Sequence, residues 1–331
     1  MGDPHYFKEL TPDFILSSVE IFGLEPDGHL MALNSYENRV YQVGVENDVP
    51  VVVKFYRPKR WSHSAIVEEH EFCFELTSAE LPVVAPLLNS QGESITVVDD
   101  FRLAVFHRRG GRAPELSSID NLKTIGRFLA RIHTIGSRSR FVHRSSITTV
   151  ANLELDTQLI SSEFIPSDLR PAYVELIKPI SELIQSDLEI ALKLSEIRAH
   201  GDCHSGNLLW RDDLPNFVDF DDARMALSVQ DLWMLLSGDQ IEQQTQLDSI
   251  LEGYQEFRDF DYRELGMIPT LRTLRIIGYT AWMARRWSDP AFPLAFPWFH
   301  SQKYWEKHIL ELREQLFELR EKIDYEKGPS Q

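Results

Sequence analysis

Only two cysteines, Cys73 and Cys203, occur in 331 residues. One bridge could join them, but a disulfide scaffold is excluded, and the usage fits a reducing compartment, so a cytoplasmic location is expected. No apolar run approaches the roughly 18 residues that a membrane-spanning helix needs. The opening MGDPHYFKEL lacks the basic stretch and apolar run of a secretory signal, and Tyr6 stands where a myristoylation motif needs Ser or Thr. Positive charge is also scarce, with 34 Lys and Arg against 51 Asp and Glu and a net charge of −17. That balance excludes the broad basic face that nucleic acid or an anionic membrane requires. A bound phosphate would have to be met locally, by a placed cation, backbone N–H groups or a metal. Repeats and low-complexity segments are absent.

The apolar content, 43% with 11% aromatics, is that of a globular protein large enough for two lobes. Residues 28–33, 39–45 and 49–56 are β-branched or aromatic runs separated by the turn-prone NSYEN (34–38) and VENDVP (45–50). Spacing predicts a helix over 64–77, with Ser64 as its cap and Ile66, His70, Cys73 and Leu76 or Phe72 on one face. Two strands follow at 94–98 and 102–107, and RRGGR (108–112) then breaks the pattern. The first hundred residues therefore read as a sheet with one inserted helix.

Beyond this point the chain turns helical. Leu122, Ile125, Leu129, Ile132 and Gly136 mark one helix, with His133 expected on its buried face. A long helix is expected over 171–196, opened by Pro171 and kinked near Pro179. Further helices are predicted around 229–237, 241–258, 269–287 and 301–324. The last carries Trp305, Ile309, Leu312, Leu316, Leu319 and Ile323 at heptad spacing. That stripe spans under three heptads, so packing onto its own domain, and hence a monomer, is expected over a coiled-coil dimer. The fold class is α+β and bilobal, with a strand-rich lobe over 1–107 and a larger helical lobe over 108–331.

The chemistry concentrates in HGDCHSGN (200–207) and FVDFDD (217–222). His200, Asp202 and His204 alternate as the ligands of a hydrolytic metal centre do, but that arrangement leaves Lys54 and Asn207 without a task. Phosphoryl transfer employs all of them. Lys54, within the β-forming VVVKFYRP, could reach the phosphates of ATP. A helix acid could orient it; Glu69 is preferred, with Glu68 and Glu71 competing. Asp202 is the candidate base. Asn207 and Asp219 offer the hard oxygen donors that Mg2+ wants.

The pattern HGDxHxGN followed by VDFDDA resembles the catalytic and metal-binding loops of the aminoglycoside phosphotransferase and choline kinase superfamily, a branch of the protein-kinase-like fold. More narrowly, LNSYENRVYQ, VVVKFYRP, HGDCHSGNLLW, VQDLWMLLSGD and RRWSDPAFP resemble the stress response kinase A family of bacteria. The likeness covers most of the chain and is weakest over 140–195. It implies an ATP- and Mg2+-dependent kinase acting in a stress response on Ser and Thr of proteins. By motif, Asp202 resembles the base, Asn207 and Asp219 the metal ligands, Lys54 the phosphate-binding lysine and Ser35 the serine of the nucleotide loop. That loop departs from the glycine-rich form, since residues 33–40 hold no glycine. Phosphate contact there falls to Ser35 and to N–H groups around Glu37 and Asn38. His200 and His204 are expected to support the catalytic loop, and Asp231 to cap a helix or anchor that loop.

The acceptor reads two ways. Residues 220–230 leave no room for the peptide-docking segment of ordinary protein kinases, which favours a small-molecule hydroxyl; the narrow resemblance favours protein Ser/Thr. Asp221, Asp222 and Arg224 are candidates for the acceptor site. Trp282, Arg285, Arg286 and Trp287 could line it, although core packing explains the tryptophans as well. A nucleotide-binding pseudokinase is a further alternative.

Overall fold

A computed structural model of the chain describes residues 6–148 and 151–321. Packing divides it into two compact units. The first takes the chain up to Ser145 together with Ile197–Met225 and Met234–Asp259; the second takes Ser146–Glu196, Ala226–Trp233 and the chain from Phe260. The expected lobes, 1–107 and 108–331, divide the chain by secondary-structure content, and the packing divides it differently. The motif region stays with the sheet because long-range polar contacts bind it there, as in Arg198, whose Nη1 and Nη2 meet the Glu75 carboxylate at 2.9 and 2.6 Å.

In the first unit, strands β1 (Pro26–Ala32), β2 (Arg39–Val45), β3 (Val51–Phe55), β4 (Thr96–Val98) and β5 (Phe101–His107) form an antiparallel sheet ordered β1-β2-β3-β5-β4. The strand period of two puts Val51, Val53 and Phe55 on one face, buried with Val43, Leu103 and Val105. Helix α1 (Pro12–Glu20) closes that face with Ile15 and Val19. The sequence reading missed α1, although Thr11 caps it with a hydroxyl that accepts the Phe14 N–H at 3.3 Å and Pro12 opens it. Lys54 points to the opposite face, opposite Val40 and Ala104 in the ladder. There α2 (His63–Ser78) packs Ile66 against Tyr56, Ile95 and Ala104. Its cap is Ser62, two residues before the expected Ser64, accepting the Ala65 N–H at 3.1 Å.

Helix α3 (Ile119–Gly136) buries all five of its predicted stripe residues. A Cβ at Gly126 would overlap the carbonyl oxygen of Ile250, so glycine lets α3 approach a partner helix closely. His133 is buried on α3, as expected, with Nδ1 3.0 Å from Tyr254 Oη.

His70 on α2 bridges two hydroxyls, with Nε2 2.8 Å from Tyr56 Oη and Nδ1 2.8 Å from Ser94 Oγ. Burial, with Lys54 and Arg144 nearby, lowers its pKa from 6.5 to about 3. The folded state therefore holds His70 neutral while the unfolded chain takes up a proton below pH 6.5. Its contribution to stability is complete above about pH 6.5 and is lost as pH falls towards 3. In urea unfolding at a series of pH values, wild type minus His70→Gln should fall by about 1.4 kcal/mol per pH unit across that window. Parallel profiles for the two proteins would disprove the assignment.

In the second unit, α4 (Ala151–Leu159) and α5 (Arg170–Ala191), which carries Pro179 inside it, precede the motif region of the chain. The long helix is shorter than the expected 171–196, and Pro171 is its second residue. Strands β6 (Ile197–Ala199), β7 (Leu208–Arg211), β8 (Leu214–Phe217) and β9 (Arg224–Ala226) follow in the first unit, apart from the last residue of β9; β6 pairs with β9 and β7 with β8. Then come α6 (Val229–Trp233), α7 (Gln240–Tyr254), α8 (Ile268–Arg286), α9 (Ala291–Ala295) and α10 (Gln302–Arg320). α7 belongs to the first unit and is the partner that Gly126 admits. α6 is shorter than the predicted 229–237, since residues 234–237 are not helical. Trp305, Ile309, Leu312 and Leu319 of α10 lie in the core of the second unit with Ile180, Ile184 and Phe299. Ile323 lies outside the described residues.

Candidate active site

Strand β6 delivers the chain into His200. Its Nε2–H donates to Val218 O at 2.9 Å while Nδ1 accepts the Asp202 N–H at 3.4 Å, and its ring packs 4.4 Å from Phe220. Both ring nitrogens are thus engaged in holding the loop, which removes His200 from any metal set. Among the described residues no three His, Cys, Asp or Glu side chains gather as a metal cage. Asn207 Nδ2 donates to Asp202 O at 2.9 Å, and Val218 N–H donates to Asn207 O at 3.0 Å, so the 200–207 loop and the segment leading to Asp219 are one bonded unit. His204 Nδ1 accepts the Gly206 N–H at 3.0 Å, and its Nε2 lies 3.5 Å from Asp202 Oδ2.

Gly201 turns the loop with φ +81°, and a Cβ there would collide with the carbonyl oxygen of Asp222. Gly201→Ala is expected to lose activity at least tenfold and to destabilise the fold by about 1–3 kcal/mol or more from backbone strain alone. Steady-state kinetics and thermal melts of the variant check this; a wild-type profile would contradict it.

Asp219 itself adopts φ 60°, ψ 66°, a left-handed conformation held by few residues other than glycine, Asn and Asp. Its carboxylate is 57% exposed and receives Lys54 Nζ at 2.9 Å. Lys54 has a second partner, the buried Asp221, whose Oδ1 is 3.2 Å away. Burial alone would lower the lysine's pKa, but Asp219 and Asp221 outweigh it and raise the pKa well above the usual value. The expected pairing with Glu69 is not made. Glu69 instead bonds Arg144, Oε2 to Nη2 at 2.9 Å, with both side chains fully buried. Burial raises the Glu69 carboxyl to about 7 against the pull of Arg144 and Lys54. The other candidates are elsewhere: Glu68 accepts the N–H groups of Val142 and His143 at 2.7 and 2.9 Å, and Glu71 is exposed.

Arg144 was not legible in the sequence, where it is one arginine in an uninformative stretch. Its Nε donates to Ala65 O at 2.6 Å and its Nη1 to Asp221 O and Ala223 O at 2.9 and 2.7 Å, while its guanidinium lies 4.3 Å from the Trp61 ring. One buried cation therefore ties α2 to the segment after Asp219.

The NSYEN turn is held without glycine. Ser35 Oγ donates to Asn38 O at 3.3 Å, closing the turn. Arg57 gathers its carbonyls, with Nε to Glu37 O at 2.6 Å and Nη2 to Tyr36 O at 3.1 Å, and the Arg57 N–H donates to Asn38 Oδ1 at 3.0 Å. Asn38 Nδ2 then reaches Asp221 Oδ2 at 3.2 Å.

The phosphotransferase enzyme family (APH) profile matches residues 29–268. Stress response kinase A of Escherichia coli (strain K12) is 43% identical over 320 residues, 95% of each chain. The serine/threonine protein kinase RdoA of Salmonella typhimurium is 42% identical over 314 residues, 93% of each. The chain belongs to this phosphotransferase family, in its stress response kinase A group. It is an ATP-dependent kinase. Among solved structures, the amicoumacin kinase hAmiN in complex with AMP-PNP, Ca2+ and Ami superposes with a TM-score of 0.73 at 18% identity, covering 92% of both chains. The microcompartment-associated aminopropanol kinase gives 0.68 at 17% identity, over 94% of this chain and 97% of that one. These likenesses show the α+β kinase-like fold.

Within this kinase the oxygen donors suit a hard cation. Asp219 Oδ2 and Asn207 Oδ1 take no hydrogen bond among the described residues, because Lys54 uses the other carboxylate oxygen and Asp202 occupies the amide nitrogen. The expected acceptor-site residues are differently employed. Asp221 is buried among Lys54, Arg60 and Asn38, and Asp222 Oδ1 receives Arg60 Nη2 and Arg224 Nη2, each at 2.8 Å. Burial works against ionisation of Asp222, but Arg60 and Arg224 outweigh it and hold its pKa far below the usual carboxylate range. Asp231, expected to cap a helix or anchor the catalytic loop, is not at the cap: it is the third residue of α6, fully buried in the second unit. In that unit Trp282 packs on Tyr279, Phe292 and Phe296, Trp287 packs on Phe299 and His300, and Arg285 pairs with Asp156.

Proposed function

We propose that this kinase transfers the γ-phosphoryl group of ATP, with magnesium, to Ser or Thr hydroxyls of proteins in a stress response, as a cytoplasmic monomer. The observation that carries the reading is the set of chemical groups brought into one compact unit: Lys54 bonded to Asp219, and the Asp219 segment bonded through Val218 to the loop of Asp202 and Asn207. In this reading Lys54 holds the donor's phosphates, and Ser35 with the N–H groups of its turn covers them. Asp202 accepts the proton of the acceptor hydroxyl as that oxygen bonds to the phosphoryl group and ADP departs. Asn207 and Asp219 would hold magnesium, which would supply neutralisation of phosphate charge. His204 stays beside the base, and His200 holds its loop.

The protein acceptor is supported by the serine/threonine protein kinase named among the relatives. One observation favours a second reading, a small-molecule hydroxyl. The segment after Asp219 is filled by a short turn at Phe220–Asp222 and by β9, and it contains no long peptide-docking stretch. The amicoumacin and aminopropanol kinases of like fold, named for small molecules, support that reading. Incubation of γ-labelled ATP with lysate proteins and with a metabolite pool, comparing wild type with Asp202→Ala, separates the two. Label on protein Ser and Thr that depends on Asp202 is expected; label confined to metabolites would replace the first reading by the second.

A further inference from the structure

In a kinase whose strand lysine is oriented by a helix acid, that acid must reach the amine. Here the helix acid is committed elsewhere, since the Glu69 carboxylate bonds Arg144. The amine lies instead between two carboxylates of unlike exposure. Asp219 is 57% exposed and in its strained left-handed turn is placed to bind metal; the Asp221 side chain is 6% exposed and the Lys54 side chain 8%. We propose that Asp221 is the positioning residue for Lys54, taking the place of the helix acid. This rests on the reading of Lys54 as the phosphate-binding cation.

The two oxygens of Asp221 have separate tasks. Oδ1 faces Lys54 Nζ at 3.2 Å and takes no hydrogen bond of good angle, which leaves it to act as a fixed charge. Oδ2 accepts from Asn38 Nδ2, at 3.2 Å, and from Arg60 Nη1. Asn38 is the last residue of the nucleotide turn, so one carboxylate sets the lysine and the turn in register with each other. With Asp219 engaged in holding a metal, Lys54 would keep its buried partner Asp221. The amine then stays aimed while its charge is released towards phosphate. A glycine-free turn fits this arrangement, because a turn tied to Asp221 through Asn38, with its carbonyls held by Arg57, has little use for glycine's freedom.

The test is a double-mutant cycle on binding of ATP with Mg2+, read by calorimetry on full-length protein, with thermal melts of every variant. Asp221→Asn is expected to weaken ATP at least tenfold in the wild-type background and by less than twofold in a Lys54→Met background, because its effect passes through the lysine. Glu69→Gln is expected to weaken ATP less than Asp221→Asn does. If Asp221→Asn fails to fold, Asp221→Glu replaces it; the longer side chain displaces the amine, and the same loss confined to the Lys54 background is expected. An equal loss in both backgrounds, or a larger loss in Glu69→Gln, would overturn the assignment of Asp221. Absence of ATP binding by the wild type would overturn the reading of Lys54 on which it rests.

Discussion

Asp202→Ala is expected to lower kcat by about 10²–10⁴-fold while the protein remains folded and still binds ATP. In the proposed role Asp202 takes up a proton as the new bond forms, so its loss would fall on the chemical step and leave ground-state binding of the nucleotide largely intact. The side chain is one-quarter exposed, and its close neighbours, His204 Nε2 and Asn207 Nδ2, are both 3.5 Å from Oδ2. Truncation there therefore leaves no fully buried charge behind. The loop keeps its shape through the backbone carbonyl of Asp202, which still accepts from Asn207 at 2.9 Å, and through His200. Initial rates with labelled ATP and a melt of each protein check the result. A variant with more than a tenth of the wild-type rate would exclude Asp202 as the base, and a variant that has lost its cooperative melt would show a structural role instead.

Arg144→Met is expected to be the most destabilising single change in the first unit, by about 3–5 kcal/mol, because it strands the buried Glu69 and frees the carbonyls of Ala65, Asp221 and Ala223 together. A drop in thermal midpoint on the order of 10 °C corresponds to that loss. The effect carries a pH signature. Glu69 has its pKa raised from 4.5 to about 7, so the folded state binds its proton more tightly than the unfolded chain does. Stability from such a group is complete below about pH 4.5 and declines as pH rises through 7. Without Arg144 the carboxyl is pushed further up, so the deficit of the variant should stay level up to about pH 7 and widen above it. Adding Glu69→Gln to Arg144→Met should recover part of the loss at pH 8 and little at pH 5, as unfolding curves at the two pH values can show. A deficit independent of pH and untouched by the second substitution would mean that the ion pair is not what Arg144 contributes.

Local spacing made much of the site legible. A strand alternates its side chains, so VVVKF already implied that Lys54 faces away from Val51, Val53 and Phe55. Gly201, which the sequence reading did not single out, is where the HGDCHSGN loop requires positive φ. The 39–45 strand and the stripe of α3 follow from period alone. Helix α1 was legible as well, since Thr11, Pro12 and Asp13 are a start signal, but its nine residues lie among strand-like runs and were read with them.

The ion-pair partners are of another kind. Glu69 and Arg144 are 75 residues apart, Lys54 and Asp219 165 apart, and Asn38 and Asp221 183 apart. Glu69 on α2 was expected to meet Lys54 and meets Arg144 instead, because the cation it finds depends on where the chain returns after α3. Asp221 and Asp222 were expected at the acceptor site, whereas folding surrounds them with Arg60, Arg224, Lys54 and Asn38. The sequence by itself determined which residue types stand at the site and the periodicity of the elements that carry them, because those depend on neighbours within a few positions. Only the tertiary structure decided which charge neutralises which, because a buried charge takes its partner from whatever side chain the packing brings within about 3 Å, and chain separation places no limit on that choice.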